Sequence, residues 1–94
     1  MYTMEQAERL AAEFLRQKSA GWDNEVALFE EDEWKARKGD SFFFNFQSVK
    51  YIATRDDKYF LYGPTFISVH SETGECRFLG IQECLSVDPF NRRQ

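Results

Sequence analysis

His70 is the only histidine in the chain, and Ser68 and Ser71 stand close beside it in sequence, so a nucleophile and its base would be sought there first. Sequence proximity does not make a triad, because base and nucleophile must meet in space and a third group must orient the base. A lone histidine on a strand next to a turn is expected to be a surface side chain. Asp56-Asp57 and the run Glu30-Glu31-Asp32-Glu33 offer hard oxygen ligands, yet neither sits in a calcium-loop pattern with spaced carboxylates. The five glycines are scattered singly, which leaves no loop to cradle a phosphate. Cys76 and Cys84 match no zinc-ligand spacing and are expected to be free, partly buried thiols. The expectation is therefore a protein with no catalytic residues, no metal and no cofactor. What remains is suited to binding: the acidic run Glu30, Glu31, Asp32 and Glu33 with Trp34 directly after it, and Tyr59 and Tyr62 in an aromatic connector. Carboxylates steer an oppositely charged partner, and aromatic rings supply desolvated anchors.

The charge is unevenly placed. Sixteen acids against twelve bases give a net charge of -4, with a pI near 5.0. Residues 23–33 hold six acids and no base, whereas residues 41–94 balance six against six, so the whole excess lies in the first forty residues. This balance argues against nucleic acid or an anionic membrane as partner and suits a basic protein surface. No apolar stretch approaches the roughly 18 residues of a membrane span, and no basic region followed by an apolar run opens the chain, so a cytoplasmic protein is expected.

The elements that would position these residues are organised around Ser41–Gln47, where Phe42, Phe43, Phe44 and Phe46 crowd into one run. It reads as a central strand with Phe42, Phe44 and Phe46 on one face and Phe43, Asn45 and Gln47 on the other. Its continuation is expected to reach Val49 or Tyr51. Before it, Thr3 and Gln6 form a capping-box pair, followed by Ala7, Leu10, Ala11, Phe14 and Leu15 at helical spacing. This predicts an amphipathic helix from Thr3 to Ala20, ended by Gly21 in a left-handed conformation. Val26 to Phe29 predicts a first strand that runs into an acidic hairpin turn, and Gly39-Asp40 signals the return into the Phe-rich strand. Thr54 to Pro64 predicts an irregular connector.

A second hairpin is predicted from Thr65–Val69 and Glu75–Leu79, with Gly74 supplying a positive φ in the loop. Burial sets its register: Ile67 opposite Phe78 and Val69 opposite Cys76 places four apolar side chains on one face. Residues 81–87 are expected to hold a helical turn or two, and residues 91–94 to fray. With 94 residues and no linker, the chain is expected to form one domain over residues 1–94. The fold class is α+β: an N-terminal helix packed on one face of a four-stranded antiparallel sheet of two hairpins, with a short irregular C-terminus.

The run from Gly63 to Gly80, with its Gly-Pro, its hydrophobic strand and its Thr73-Gly74-Glu75 turn, resembles the hairpin of the immunity protein 35 family, the YrhB-like domains. The order of an N-terminal helix, an acidic first hairpin, an aromatic strand and this hairpin is also similar to that family over most of residues 3–80. The resemblance implies a bacterial cytoplasmic protein that binds and silences a cognate secreted or polymorphic toxin by occlusion, with no catalytic residues. A toxin acting on a polyanion has a basic cleft, which the acidic segment and Trp34 would enter. Other readings are a chaperone-like or adaptor module working through an exposed aromatic face, and a domain that binds a small ligand or metal. The protein is expected to be a monomer or weak homodimer. The adaptor reading draws on aromatic excess: Trp34, Phe43, Tyr51, Phe66 and the Tyr59–Tyr62 connector exceed what the helix-covered face can hold, so an exposed apolar patch, used for a partner or for self-association, is expected on the far face or its edge unless the connector and C-terminal tail fold back over it.

Overall fold

In the computed structural model, which describes residues 1–61, 65–80 and 82, one helix lies on one face of an antiparallel sheet. Helix α1 spans Met4–Lys18. Its first turn is closed reciprocally, since Gln6 N–H donates to the Thr3 hydroxyl at 3.2 Å and Thr3 N–H donates to Gln6 Oε1 at 2.9 Å. Ala7, Ala11 and Leu15 are buried, and Leu10 and Phe14 pack beside them. The helix ends earlier than Ala20, at Ser19, whose N–H reaches the Leu15 carbonyl without any left-handed residue. Gly21 therefore does not play the part expected of it; among the described residues the positive-φ glycines are Gly39 and Gly74.

The sheet consists of β1 (Val26–Leu28), β2 (Lys35–Lys38), β3 (Ser41–Ser48), β4 (Phe66–His70) and β5 (Cys76–Phe78). Every residue from Phe42 to Ser48 is buried, which makes β3 the centre of the molecule. Phe42, Phe44 and Phe46 meet α1 together with Ile67 and Val69, forming one core. Phe43, Asn45 and Gln47 face the other way, as the period of two requires.

The α+β class holds, but among the described residues the sheet has five strands instead of four. β1 and β2 both pair with the same edge of β3: Leu28 lies opposite Phe46, and Lys35 opposite Phe44. They are two halves of one edge strand. Between them the chain leaves the ladder after Phe29 N–H donates to the Asn45 carbonyl, and it returns through a 3-10 turn at Asp32–Trp34. The hairpin tip is Gly39-Asp40, with Gly39 at φ 62° in the first central position, as a type II′ loop demands. The acidic run is thus a mid-edge excursion, not a hairpin tip.

The second hairpin has the register that burial predicts, with Ile67 opposite Phe78 and Val69 opposite Cys76. Gly74 takes φ 77°, and a Cβ there would meet the Tyr2 ring at 2.9 Å. Gly74→Ala is expected to lower stability by about 1 to 3 kcal/mol, chiefly through the left-handed backbone, because the far end of Tyr2 can shift aside. Thermal unfolding of the variant checks this, and an unchanged midpoint would show that the turn relaxes freely.

β3 stops at Ser48, short of the expected Val49 or Tyr51. The Ser48 hydroxyl accepts from Tyr51 N–H at 3.0 Å and donates to the Tyr59 carbonyl at 2.6 Å. That cap turns the chain into helix α2, Val49–Thr54. α2 and the connector fold back on the Gln47–Ser48 end of β3, and the expected open aromatic patch is largely closed. Phe43 is only 5% exposed, and Trp34, Tyr51, Tyr59 and Phe66 are half-buried. Among the described residues, the exposed large hydrophobic side chains are Met1, Trp22 and Phe60. Tyr62, Cys84 and the expected features at 83–94 lie outside the described residues.

Candidate functional site: the interrupted sheet edge

The excursion between β1 and β2 stands on an aromatic base. Phe29 is buried and continues the far-face alternation of β1, and Trp34 stacks on it at 5.1 Å with 25° between the rings. The Arg55 guanidinium lies 5.1 Å from the Phe29 ring centre and 5.9 Å from that of Tyr51, and it pairs with Glu31 at 3.1 Å. Arg55 ends α2 in the left-handed region at φ 58°, a conformation that aims its side chain back over these rings. Tyr51 in turn meets Phe60 edge-on at 5.0 Å. A cleft of about 270 Å³ opens among Phe29, Trp34, Tyr51, Arg55, Phe60 and Phe66.

The four acidic residues are not equivalent. Glu31 is half-buried and tied to Arg55, whereas Glu30, Asp32 and Glu33 are exposed. At the other end of the excursion, Lys35 pairs with Glu8 of α1 at 2.8 Å, with the lysine side chain 16% exposed. The acidic loop is therefore clamped on one side to α2 and on the other to α1. Trp34 forms part of its floor, where the expectation was a projecting anchor.

Tyr59 sits apart from this arrangement. Lys50 and Lys58 lie over its ring at 5.6 and 5.1 Å, so its surroundings are basic, and Phe60 takes the place at the cleft that the connector was expected to provide. Phe29, Tyr51, Arg55 and Phe60 complete the site; Tyr51 and Phe60 were expected only within an exposed aromatic patch, and Phe29 and Arg55 were not expected at a site at all. The alternation of Val26 and Leu28 against Ala27 and Phe29 carried the signal for Phe29. Arg55 had none, because nothing in a polar stretch announces a left-handed helix end.

The residues with possible chemistry have structural tasks. His70 Nδ1 accepts from the backbone N–H of Glu72 at 3.2 Å and of Thr73 at 3.4 Å, capping the second hairpin. Asp56 accepts from Lys58 N–H at 3.1 Å and caps the 3-10 turn Asp57–Tyr59. Among the described residues no group of three or more His, Cys, Asp or Glu side chains is placed to hold a metal ion. No helix among them is long and apolar enough to cross a membrane.

Two groups link stability to alkaline pH. The Glu8 carboxylate holds the Lys35 ammonium above its ordinary pKa, and burial pushes the Cys76 thiol up. A pKa raised on folding stabilises fully below the unfolded value, and that contribution is lost as pH rises through the folded one. The Cys76 contribution is present below the ordinary thiol pKa of about 8.5 and declines above it, while that of Lys35 begins to fall only above about 10.4. The urea midpoint should accordingly hold steady up to about pH 8.5 and then decline. Cys76→Ala should flatten the first part of the decline and leave the second, and parallel curves would exclude the thiol.

The fold and site together define an α+β domain with an acidic sheet edge resting on an aromatic base. Comparison of the chain with protein-family models, with curated proteins and with solved structures gives no match.

Proposed function

We propose that this chain is an immunity-type binding protein that occludes a cognate toxin bearing a basic cleft. The observation that carries the reading is the acidic excursion itself, in which Glu30, Asp32 and Glu33 are exposed on a loop fixed at both ends by ion pairs and from beneath by the Phe29–Trp34 stack. A preorganised loop loses little conformational entropy on binding, and its carboxylates raise the rate of encounter with a cation-rich surface. The adaptor reading requires an open aromatic face, and the covering of Phe43 by its surroundings weighs against it.

The test is to ask whether the gene immediately upstream encodes a protein ending in a toxin domain, and to co-express the chain with that domain. Growth should be rescued by the parent chain and lost when Glu30, Asp32 and Glu33 are reversed to Lys. A neighbouring toxin whose killing the parent chain does not relieve would overturn the reading.

A further inference from the structure

Among the described residues, the outer edge of β1 is open to a further strand. Val49 N–H donates to the Glu25 carbonyl and Phe29 N–H donates to the Asn45 carbonyl, so residues 25, 27 and 29 hold the ladder to β3. In an antiparallel pair the intervening residues direct their backbone groups the other way. The N–H and C=O groups of Val26 and Leu28 consequently point outward, and among the described residues no backbone partner meets them there. β2, by contrast, protects its part of the edge with Lys35, Arg37 and Lys38, a common defence of exposed strands. β1 carries Val-Ala-Leu and has no such charge.

A groove accompanies this edge along α1. Two adjoining hollows, of about 660 and 500 Å³, lie between the helix and β1, and Ala12 and Leu28 line both. They extend along α1 from Glu8 to its C-cap Ser19, about 16 Å at 1.5 Å per residue. That length matches a strand of about five residues. The edge is framed by acids: Asp23 and Glu25 at one end and Glu30 at the other, none in an ion pair among the described residues.

The geometry points to strand addition on β1: this edge takes an extended polypeptide segment with an apolar centre and basic residues at its ends. The added strand bonds to the outward groups of Val26 and Leu28, and alternate side chains rest against Ala12 in the groove. A second copy of this chain fits poorly. Antiparallel pairing of β1 with itself about Ala27 would bring Asp23 of one copy opposite Glu31 of the other, with Glu25 and Glu30 of both copies gathered nearby, and like charges in register oppose pairing. The inference deepens the binding reading above by giving the mode of engagement, and it is measured without any toxin.

The probe is a synthetic peptide with a Val-Thr-Val-Thr-Val centre and lysines at both ends, titrated into the full chain and followed by amide chemical shifts. Shifts should centre on Val26, Ala27 and Leu28 and extend to Ala12. Replacing the peptide's lysines by glutamates should weaken binding at least about tenfold, as should methylating alternate backbone nitrogens. In the protein, Val26→Pro removes an outward N–H while leaving the ladder to β3 intact, and binding should be lost although the fold remains. Should Val26→Pro unfold the chain, Asp23→Lys with Glu25→Lys provides the same test at exposed positions. Shifts absent from β1, or equal affinity for the lysine and glutamate peptides, would overturn strand addition. Growth rescue without peptide binding would remove only this mode of engagement, and peptide binding without growth rescue would remove only the toxin reading.

Discussion

Phe44→Ala is expected to cost about 3 to 5 kcal/mol, a large share of the ~5 to 15 kcal/mol available to a small domain, and to leave a chain that barely folds. Phe44 is 1% exposed and sits mid-strand between α1 and the sheet, with Ile67 directly opposite on β4. Truncation there leaves a cavity walled by a helix and a sheet, neither of which can move inward without breaking contacts elsewhere. Phe43→Ala should cost less, about 2 to 3 kcal/mol, although Phe43 is nearly as buried. Its cross-strand neighbours are the small residues Ala36 and Ser68, and a hollow of about 220 Å³ already borders it, so fewer contacts are lost. Urea unfolding followed by circular dichroism measures both. Equal losses would mean that the far face is packed as tightly as the helix face.

This contrast is milder than the one the sequence suggests, because Phe43 is 5% exposed and Phe44 1%. Alternation in the Phe-rich run fixes which rings point which way, and the structure keeps every one of those assignments. Alternation cannot say what covers each face. The cover at the Gln47–Ser48 end of β3 depends on a serine that ends the strand by capping α2, and on Tyr59 and Leu61 bonding back to Ser48 and Gln47. Those contacts join residues 11 and 14 positions apart, beyond the reach of local pattern. The same limit hides Arg55, whose left-handed backbone and ring contacts exist only once α2 has been placed. Local signals served well where local physics decides: the Thr3–Gln6 capping box, the positive φ of Gly74, and the register of the second hairpin. They failed at the acidic run, where a strand of the expected polarity is split by an excursion. Phe29 keeps its backbone bond to Asn45 and its ring under Trp34, so the chain can loop outward and rejoin the same edge. The seven residues expected to bind a partner fare unevenly for that reason: Glu30, Glu31, Asp32, Glu33 and Trp34 come together, Tyr59 lies among lysines, and Tyr62 falls outside the described residues.

Reversing Glu30, Asp32 and Glu33 to Lys is expected to leave the fold intact and to slow association with a basic partner about ten- to a hundredfold at low salt. All three side chains are exposed, so their reversal exchanges solvated charges without disturbing the core. Glu31→Gln should act differently. It releases Arg55 from its 3.1 Å ion pair, but the Arg55 and Glu31 side chains are still 49% and 41% exposed, which limits the effect on stability to less than about 1 kcal/mol. The loop would then rest on ring stacking and the Lys35–Glu8 pair, and the loss of preorganisation should appear as faster dissociation with little change in the rate of encounter. Arg55→Ala removes the ion pair and both ring contacts together, so it should raise the dissociation rate further and also lower the urea midpoint. Salt supplies the control. The wild-type association rate should fall as ionic strength rises, since exposed charges are screened beyond a Debye length of about 8 Å at physiological salt, and the triple variant should have lost that dependence. If the triple variant associates at the wild-type rate, the carboxylates serve only to keep an interrupted edge solvated, and recognition must then reside in the strand edge of β1 or in the cleft beneath Trp34.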